Sequence, residues 1–211
     1  MKQVKLDDTI HDEKIFKGDF MKLATVLTFG LLMFNANALE GKYNFDTSHA
    51  KVGFEVAHLV ISNVEGRFNK FEGSMTAGKK ISDLKIETTI DINSVNTDDL
   101  DRDKHLKSSD FFDAEKFPKM SFVSTSITGT ENKLKISGNL TIKDVTKSVV
   151  LDGKISKEIK DPWGNQRVAI SGKTKINRKD FGLKFNKVAE AGPVVGDEVT
   201  ISISTEAIKV K

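Results

Sequence analysis

The sequence predicts an all-β domain, and three observations support this prediction. From Tyr43 onward, apolar residues recur mostly at every second position, which is the period of a β-strand. Short turn-forming segments separate these runs, and strands do not alternate with long helices. Three successive runs also place a glycine on their apolar side, at Gly138, Gly153 and Gly172. Repeated glycines are typical of a sharply coiled sheet, so a closing barrel is favoured over three unrelated bulges.

The individual elements follow from the same alternation. About eight or nine strands with short connections are expected. The alternation is clearest in residues 51–56, 84–92, 134–143, 149–155, 168–176 and 199–203. Turns are predicted at residues 131–132 and 161–165, where polar residues, proline and glycine interrupt the pattern. Residues 98–113 are highly charged and lack β-branched side chains, which predicts a short helix, and residues 57–61 are a second candidate for one.

The N-terminal region predicts export. Residues 21–38 contain a lysine, an apolar run from Leu23 to Phe34, and the small-residue site Ala36-Asn37-Ala38. This is the layout of a cleaved signal peptide, and the apolar run is shorter than the ~20 residues that span a bilayer. Residues 1–20 do not suit a positively charged signal start, so they are interpreted as a non-native or over-annotated leader. Residues 39–211 then form one domain outside the cytoplasm.

Composition and motifs exclude several function classes. The net charge is only +3, with basic and acidic residues interleaved, which does not favour nucleic-acid binding. The absence of cysteine excludes thiolate catalysis and thiolate metal sites. The four histidines lack metal-ligand spacing, the acidic cluster at residues 98–103 lacks the glycine and glutamate of a calcium loop, and no catalytic or nucleotide-binding motif is present. No catalytic residue, metal or obligatory cofactor is predicted.

The aromatic composition is compatible with a cavity that binds a hydrocarbon ligand. The chain has 14 Phe but only one Trp and one Tyr. Phenylalanine suits a cavity that meets apolar ligands, because it carries no polar group that needs a partner. Small barrels of about eight strands either fill their interior with side chains or hold one small ligand. The pattern alone leaves both interpretations open.

Six short motifs, in order along the domain, carry a family resemblance. They are DTSHAKVGFEVAHL (46–59), SNVEGRFNKFEG (62–73), RDKHLKSSDFFD (102–113), GNLTIKDVT (138–146), RKDFGL (178–183) and VGDEV (195–199). On these motifs the chain resembles the YceI family of periplasmic proteins, over effectively the whole predicted domain. Lys107 and Asp144 depart from residues that are common in that family, and Lys107 lacks the bidentate geometry with which arginine grips a phosphate.

The resemblance implies an extended, antiparallel, eight-stranded lipocalin-like β-barrel with one or two short helices and a hydrophobic tunnel. It implies a periplasmic protein, with a role in stress, that holds a long-chain lipid such as an isoprenoid quinone, a polyprenyl phosphate or a fatty amide. The side chains expected to line the tunnel are Phe54, Val56, Leu59, Phe68, Phe71, Phe112, Phe122, Trp163, Phe181 and Leu183. Those expected to meet a polar headgroup are His58, Arg102, His105 and Arg178.

Two other functions are kept as alternatives. A hydrolase or isomerase acting on a hydrophobic substrate would use His58 or His105 as its acid or base. An interaction module without a ligand would have a solid core. The partners expected for a carrier are its lipid ligand and, transiently, a membrane surface. A homodimer is also compatible with the sequence.

Overall fold

The computed structural model describes residues 39–190 and 192–211. The predicted leader (1–20) and signal peptide (21–38) lie outside the described residues. Within the described part of the chain, no helix has the length and apolar character needed to cross a bilayer.

Strands dominate the described residues, as the alternation predicts. One α-helix, α1, spans Leu100–Lys107, and three short 3₁₀ helices span Ile81–Asp83, Ile92–Ser94 and Arg178–Phe181. The strands are β1 (Gly41–His58), β2 (Ser62–Phe68), β3 (Phe71–Ala77), β4 (Lys85–Asp91), β5 (Val95–Asn96), β6 (Lys119–Thr130), β7 (Lys133–Ile142), β8 (Val145–Ile155), β9 (Ile159–Lys160), β10 (Gln166–Asn177), β11 (Val188–Ala189), β12 (Gly192–Pro193) and β13 (Val195–Lys209).

Eight of these strands close into an antiparallel barrel in the order β1, β3, β4, β6, β7, β8, β10, β13. Closure comes from β13, which pairs with β10 on one side and with β1 on the other. The first half of β1 pairs with β3 and its second half with β2, so β2 and β3 together form one interrupted strand. The predicted eight-stranded barrel is therefore confirmed.

The two predicted helices had different outcomes. Helix α1 lies inside the charged segment 98–113, and Asp99 caps it by accepting a hydrogen bond from the backbone N–H of Arg102 at 3.0 Å. The prediction of a helix at residues 57–61 is wrong, because β1 runs to His58 and a tight turn then leads into β2.

The repeated glycines permit close packing inside the barrel. Gly153 and Gly172 face each other across β8 and β10, and the Phe122 ring of β6 lies over Gly138 of β7. A Cβ atom on Gly138 would also lie only 2.6 Å from the carbonyl oxygen of Val123. The backbone cannot yield as a flexible side chain does, so only glycine fits at this position.

We therefore expect Gly138→Ala to lower the free energy of unfolding by about 2 kcal/mol, the usual cost of overpacking a well-packed site. Urea denaturation measures this difference. Asn139→Ala is the matched control, because Asn139 is exposed on the same strand and its loss should change little. Equal stability of the two variants would contradict the packing role of Gly138.

The barrel interior has a solid half and a hollow half. The solid half contains fully buried side chains such as Tyr43, Met75 and Leu134. A second apolar cluster, which includes Phe68 and Ile176, surrounds open space. Single strands contribute to both halves, because residues near one strand end pack into the solid cluster and residues near the other end line the space.

Candidate functional site: an apolar cavity

A cavity of about 390 Å³ occupies the hollow half of the barrel. Its walls come from the second half of β1, from β2, β4, β6, β7, β10 and β13, from helix α1, and from the segment around and after the last 3₁₀ helix. A smaller apolar pocket of about 70 Å³ shares Val52, Ile90, Leu140 and Ile201 with it and extends toward the solid half. The volume lies in the range of ligand pockets, about 300–1,000 Å³.

Aromatic rings form much of the wall. The Phe68 ring lies 5.7 Å from the Phe54 ring and 5.9 Å from the Phe112 ring, centroid to centroid. The rings of Phe111 and Phe185 lie 4.9 Å apart on the side of helix α1. These distances are typical of packed aromatic pairs, so the wall is defined and apolar.

The structure brings together part of the predicted lining. Phe54, Val56, Phe68, Phe112 and Leu183 line the large cavity. Phe122 lines the smaller inner pocket, where its ring covers Gly138.

Four predicted lining residues do not face either space. Trp163 is 80% exposed in the turn before β10, where its backbone N–H donates to Asp161 Oδ1 at 3.0 Å. Leu59 lies in the turn after β1, and its backbone N–H donates to the Val194 carbonyl. Phe71 and Phe181 pack in the apolar cluster around the cavity without lining it. For these four side chains the predicted placement is wrong.

All four predicted headgroup residues line the cavity, but Arg178 has no free donor. Its five N–H groups donate to the carbonyls of Gly196, Leu183, Phe185 and Val195 and to Asp197 Oδ1. Burial lowers the pKa of the Arg178 guanidinium, and the charge of Asp197 opposes this shift. Arg178 therefore holds the wall in place. The predicted headgroup contact does not fit this geometry, because all of its N–H groups already donate to the protein.

Arg102 is the better placed cation. Its Nε and Nη2 donate to the side-chain and backbone oxygens of Thr97, both at 2.8 Å. Asp103, which is buried, accepts from Thr97 and fixes this arrangement. The Nη1 group makes no hydrogen bond within the described residues and lies 3.8 Å from Asp99. The guanidinium is thus positioned at the cavity with donors left for a ligand.

His105 lies on the same helix at the same rim. Its Nε2 atom is 3.0 Å from Asp110 Oδ2, and its ring meets the Phe111 and Phe185 rings edge to face, at 5.0 and 4.7 Å. These contacts orient the imidazole and leave its other nitrogen without a hydrogen bond among the described residues. His58, at the end of β1, lines the cavity next to the exposed Ala57.

Sequence reasoning missed several lining residues. Lys187 is exposed and lines the cavity, and no periodic pattern could have placed it, because it lies in an irregular segment. Val199 and Ile201 also line the cavity, and their inward positions on β13 were visible in the alternation. Together with Arg102 and His105, Lys187 makes the cavity mouth basic.

The described residues that line the large cavity include no hydroxyl, thiol or carboxylate side chain. The lining offers only apolar side chains, two histidines and three cations. This composition suits binding of an amphiphile.

The opposite end of the barrel carries a charged cluster around Arg167. The guanidinium donates to Asp46 and Asp161, both at 2.7 Å, and to Glu206 at 3.0 Å. Burial alone would raise the pKa of Asp161, but hydrogen bonds from Arg167 and from the turn lower it to about 2. Asp46, His49 and Glu206 have the spacing of a metal site, yet Arg167 already bridges the two carboxylates.

This cluster predicts an acid-dependent stability. Because the folded pKa of Asp161 is below its ordinary value of 3.8, its contribution is complete above about pH 4 and is lost as the pH falls toward 2. Arg167→Met should lower the free energy of unfolding at neutral pH and reduce its decline in acid. Urea denaturation at several pH values measures both effects. Lys175→Met is the control: it removes an exposed ion pair with Glu198 and should change neither the free energy of unfolding at neutral pH nor its decline in acid. If the free energy of unfolding of Arg167→Met fell with pH in parallel with that of the wild type, the role of this cluster would be contradicted.

Comparison with known proteins agrees with the fold. A family model for the YceI-like domain matches residues 43–207. The chain belongs to the YceI family. Protein YceI of Escherichia coli O157:H7 is 39% identical over 189 residues, covering 88% of this chain and 96% of that protein. The sequence similarity therefore extends along nearly the whole length of this relative.

Solved structures of similar shape include a YceI protein of Campylobacter jejuni, which is 32% identical with a TM-score of 0.61 and covers 74% of this chain and 90% of that chain. A polyisoprenoid binding domain from Saccharophagus degradans has a TM-score of 0.60 at 15% identity, covering 82% of this chain and 100% of that chain. The latter likeness shows the fold alone.

Proposed function

We propose that this protein binds one long-chain lipid, with the hydrocarbon chain inside the cavity and the polar headgroup at its mouth. The observation that carries the proposal is the arrangement of the site. An apolar space of about 390 Å³ adjoins a smaller apolar pocket toward the solid half of the barrel. Its basic lining residues include Arg102 and His105 of helix α1 and Lys187 of the segment after β10, and the two elements meet where the His105 ring contacts Phe185. An amphiphile has the same division into one apolar and one polar part.

The energetics favour retention of such a ligand. Each buried methylene contributes about 0.8 kcal/mol, so about ten of them give roughly 8 kcal/mol before the cost of ordering the chain. That corresponds to a dissociation constant near micromolar. Hydrogen bonds from Arg102 and Lys187 to a carbonyl or phosphate oxygen would select ligands with a polar end.

The similarity to a polyisoprenoid binding domain supports an isoprenoid as the ligand class. A phenylalanine-rich wall suits the branched, unsaturated chain of an isoprenoid as well as a straight acyl chain, so quinones, polyprenyl phosphates and fatty amides remain the chemical candidates. Binding without catalysis is proposed from the lining, whose described residues carry no hydroxyl, thiol or carboxylate side chain. Export to the periplasm is proposed from the signal-like residues 21–38.

A chain-length series tests the proposal. Isoprenoid alcohols of increasing length are titrated into the purified protein, and the dissociation constants are measured by calorimetry. The affinity should rise by up to about fourfold per added methylene equivalent until the cavity is full, and then stop rising. Equal weak affinity at all lengths would overturn the proposal and favour an interaction module. Chemical conversion of any of the alcohols would favour the alternative that the protein is an enzyme acting on a hydrophobic substrate.

A further inference from the structure

Two neighbouring segments at the cavity mouth expose large aliphatic side chains. Val60 is 66% exposed and Ile61 is 81% exposed in the turn between β1 and β2. Val188, in the β11 strand, is 85% exposed. We call these three side chains the aliphatic lip.

The two parts of the lip lie side by side. The backbone N–H of Leu59 donates to the Val194 carbonyl at 3.0 Å, and a Cβ on Gly192 would lie 3.6 Å from the Val60 side chain. The lip therefore forms one continuous surface although its parts are more than a hundred residues apart in the chain.

The lip borders the opening of the cavity. Ala57 and His58, directly before the turn, line the cavity, and so do Lys187 and Val194 on either side of β11 and β12. A lipid that enters or leaves beside Lys187, which is both exposed and part of the cavity lining, passes this lip. Lys184 and Lys187 are exposed beside it, whereas Glu190 is the exposed acidic residue at the tip.

The turn is an unfavourable place for aliphatic residues. Leu59 and Val60 have positive φ angles of 51° and 65°. Such angles suit glycine or asparagine, and a β-branched residue adopts them rarely. A turn that served only to connect two strands would place polar or glycine residues here. Val60 combines a strained conformation with high exposure, and its neighbour Ile61 is also exposed, which indicates a surface with another purpose.

We infer that the aliphatic lip docks the cavity mouth onto the surface of a lipid bilayer. This inference rests on the proposed function, because the bilayer is where a long-chain lipid resides. Val60, Ile61 and Val188 would enter the boundary between headgroups and acyl chains, and Lys184 and Lys187 would meet lipid phosphates. A lipid could then pass between bilayer and cavity without crossing water.

Vesicle flotation tests the inference. Wild-type protein should float with vesicles of phosphatidylethanolamine and phosphatidylglycerol, and Ile61→Asp with Val188→Asp should lower the bound fraction at least about tenfold. The matched control is Ile159→Asp. Ile159 is 63% exposed in β9, at the opposite end of the barrel, and its replacement should leave flotation unchanged.

The native tryptophan reports which end docks. Trp163 lies in the turn before β10, and Ile176, which lines the cavity from the far end of that strand, lies roughly 30 Å from the strand's first residue. Its emission should stay unshifted when vesicles bind, and a blue shift would overturn the inference, because the opposite end would then be the docking surface. Absence of wild-type flotation, or equal loss in the Ile159→Asp control, would also overturn it.

A second measurement separates this inference from the proposed function. Calorimetric binding of a soluble isoprenoid alcohol should be unchanged in the Ile61→Asp, Val188→Asp variant, while extraction of the same lipid class from vesicles should slow at least about tenfold. If the wild-type protein did not bind the alcohol, the proposed function would be refuted. The flotation result alone would then decide whether the lip docks on a bilayer.

Discussion

Replacing Val199 by tryptophan is expected to weaken lipid binding about a hundredfold or more while the barrel stays folded. Val199 lies on β13 opposite Val56 of β1 and Ile176 of β10, and all three side chains line the cavity. The indole would occupy space that the lipid chain needs. Excluding three or four methylenes from the cavity costs roughly 3 kcal/mol of binding free energy, which corresponds to this loss of affinity.

The matched control is Val150→Trp. Val150 is half-exposed on the outer face of β8, so tryptophan there should leave the dissociation constant unchanged. Calorimetry gives the affinity of each variant, and urea denaturation shows whether each is folded. Undiminished binding by a folded Val199→Trp variant would place the ligand elsewhere.

Arg178→Met is expected to lower the free energy of unfolding by about 3 kcal/mol, because breaking a buried, hydrogen-bonded charge leaves its partners unsatisfied. Four backbone carbonyls from two separate segments accept hydrogen bonds from this one guanidinium, and the Val195 carbonyl also accepts one from Asn186. Two of these carbonyls belong to Leu183 and Phe185, whose side chains line the cavity. The variant should therefore also bind lipid more weakly, through loss of order in the wall.

Lys179→Met is the control for charge alone. Lys179 also pairs with Asp197, at 2.7 Å, but both side chains are partly exposed to solvent. Its loss should change stability by no more than about 0.5 kcal/mol. Similar unfolding curves for the two variants would show that Arg178 acts only through its ion pair and does not hold the wall.

The regular part of the barrel could be predicted from the sequence because its period is two. On β7, Leu134, Ile136, Leu140 and Ile142 all face inward, as their alternation with polar residues predicts. The closed barrel inferred in part from Gly138 is also present, and at Gly138 the Phe122 ring of the neighbouring strand occupies the space of a side chain. The inward or outward direction of each side chain is set by its position within its own strand, so a short window of sequence is enough to predict it.

The cavity mouth could not be predicted in the same way. Trp163 is large and apolar, yet a turn organised by the Asp161 carboxylate holds it at the surface. Lys187 and Phe185 line the cavity from an irregular segment whose course depends on Arg178, a residue earlier in the chain. Their placement depends on tertiary hydrogen bonds, which leave no periodic signal.

Native mass spectrometry tests the central claim most directly. The protein is exported by its own N-terminal segment, purified without detergent, and measured intact, and bound material is then extracted into organic solvent and identified. The account predicts one long-chain lipid per chain, retained by Val150→Trp and absent from Val199→Trp. A bare protein mass, with no uptake of added quinone or polyprenyl lipid, would contradict the account.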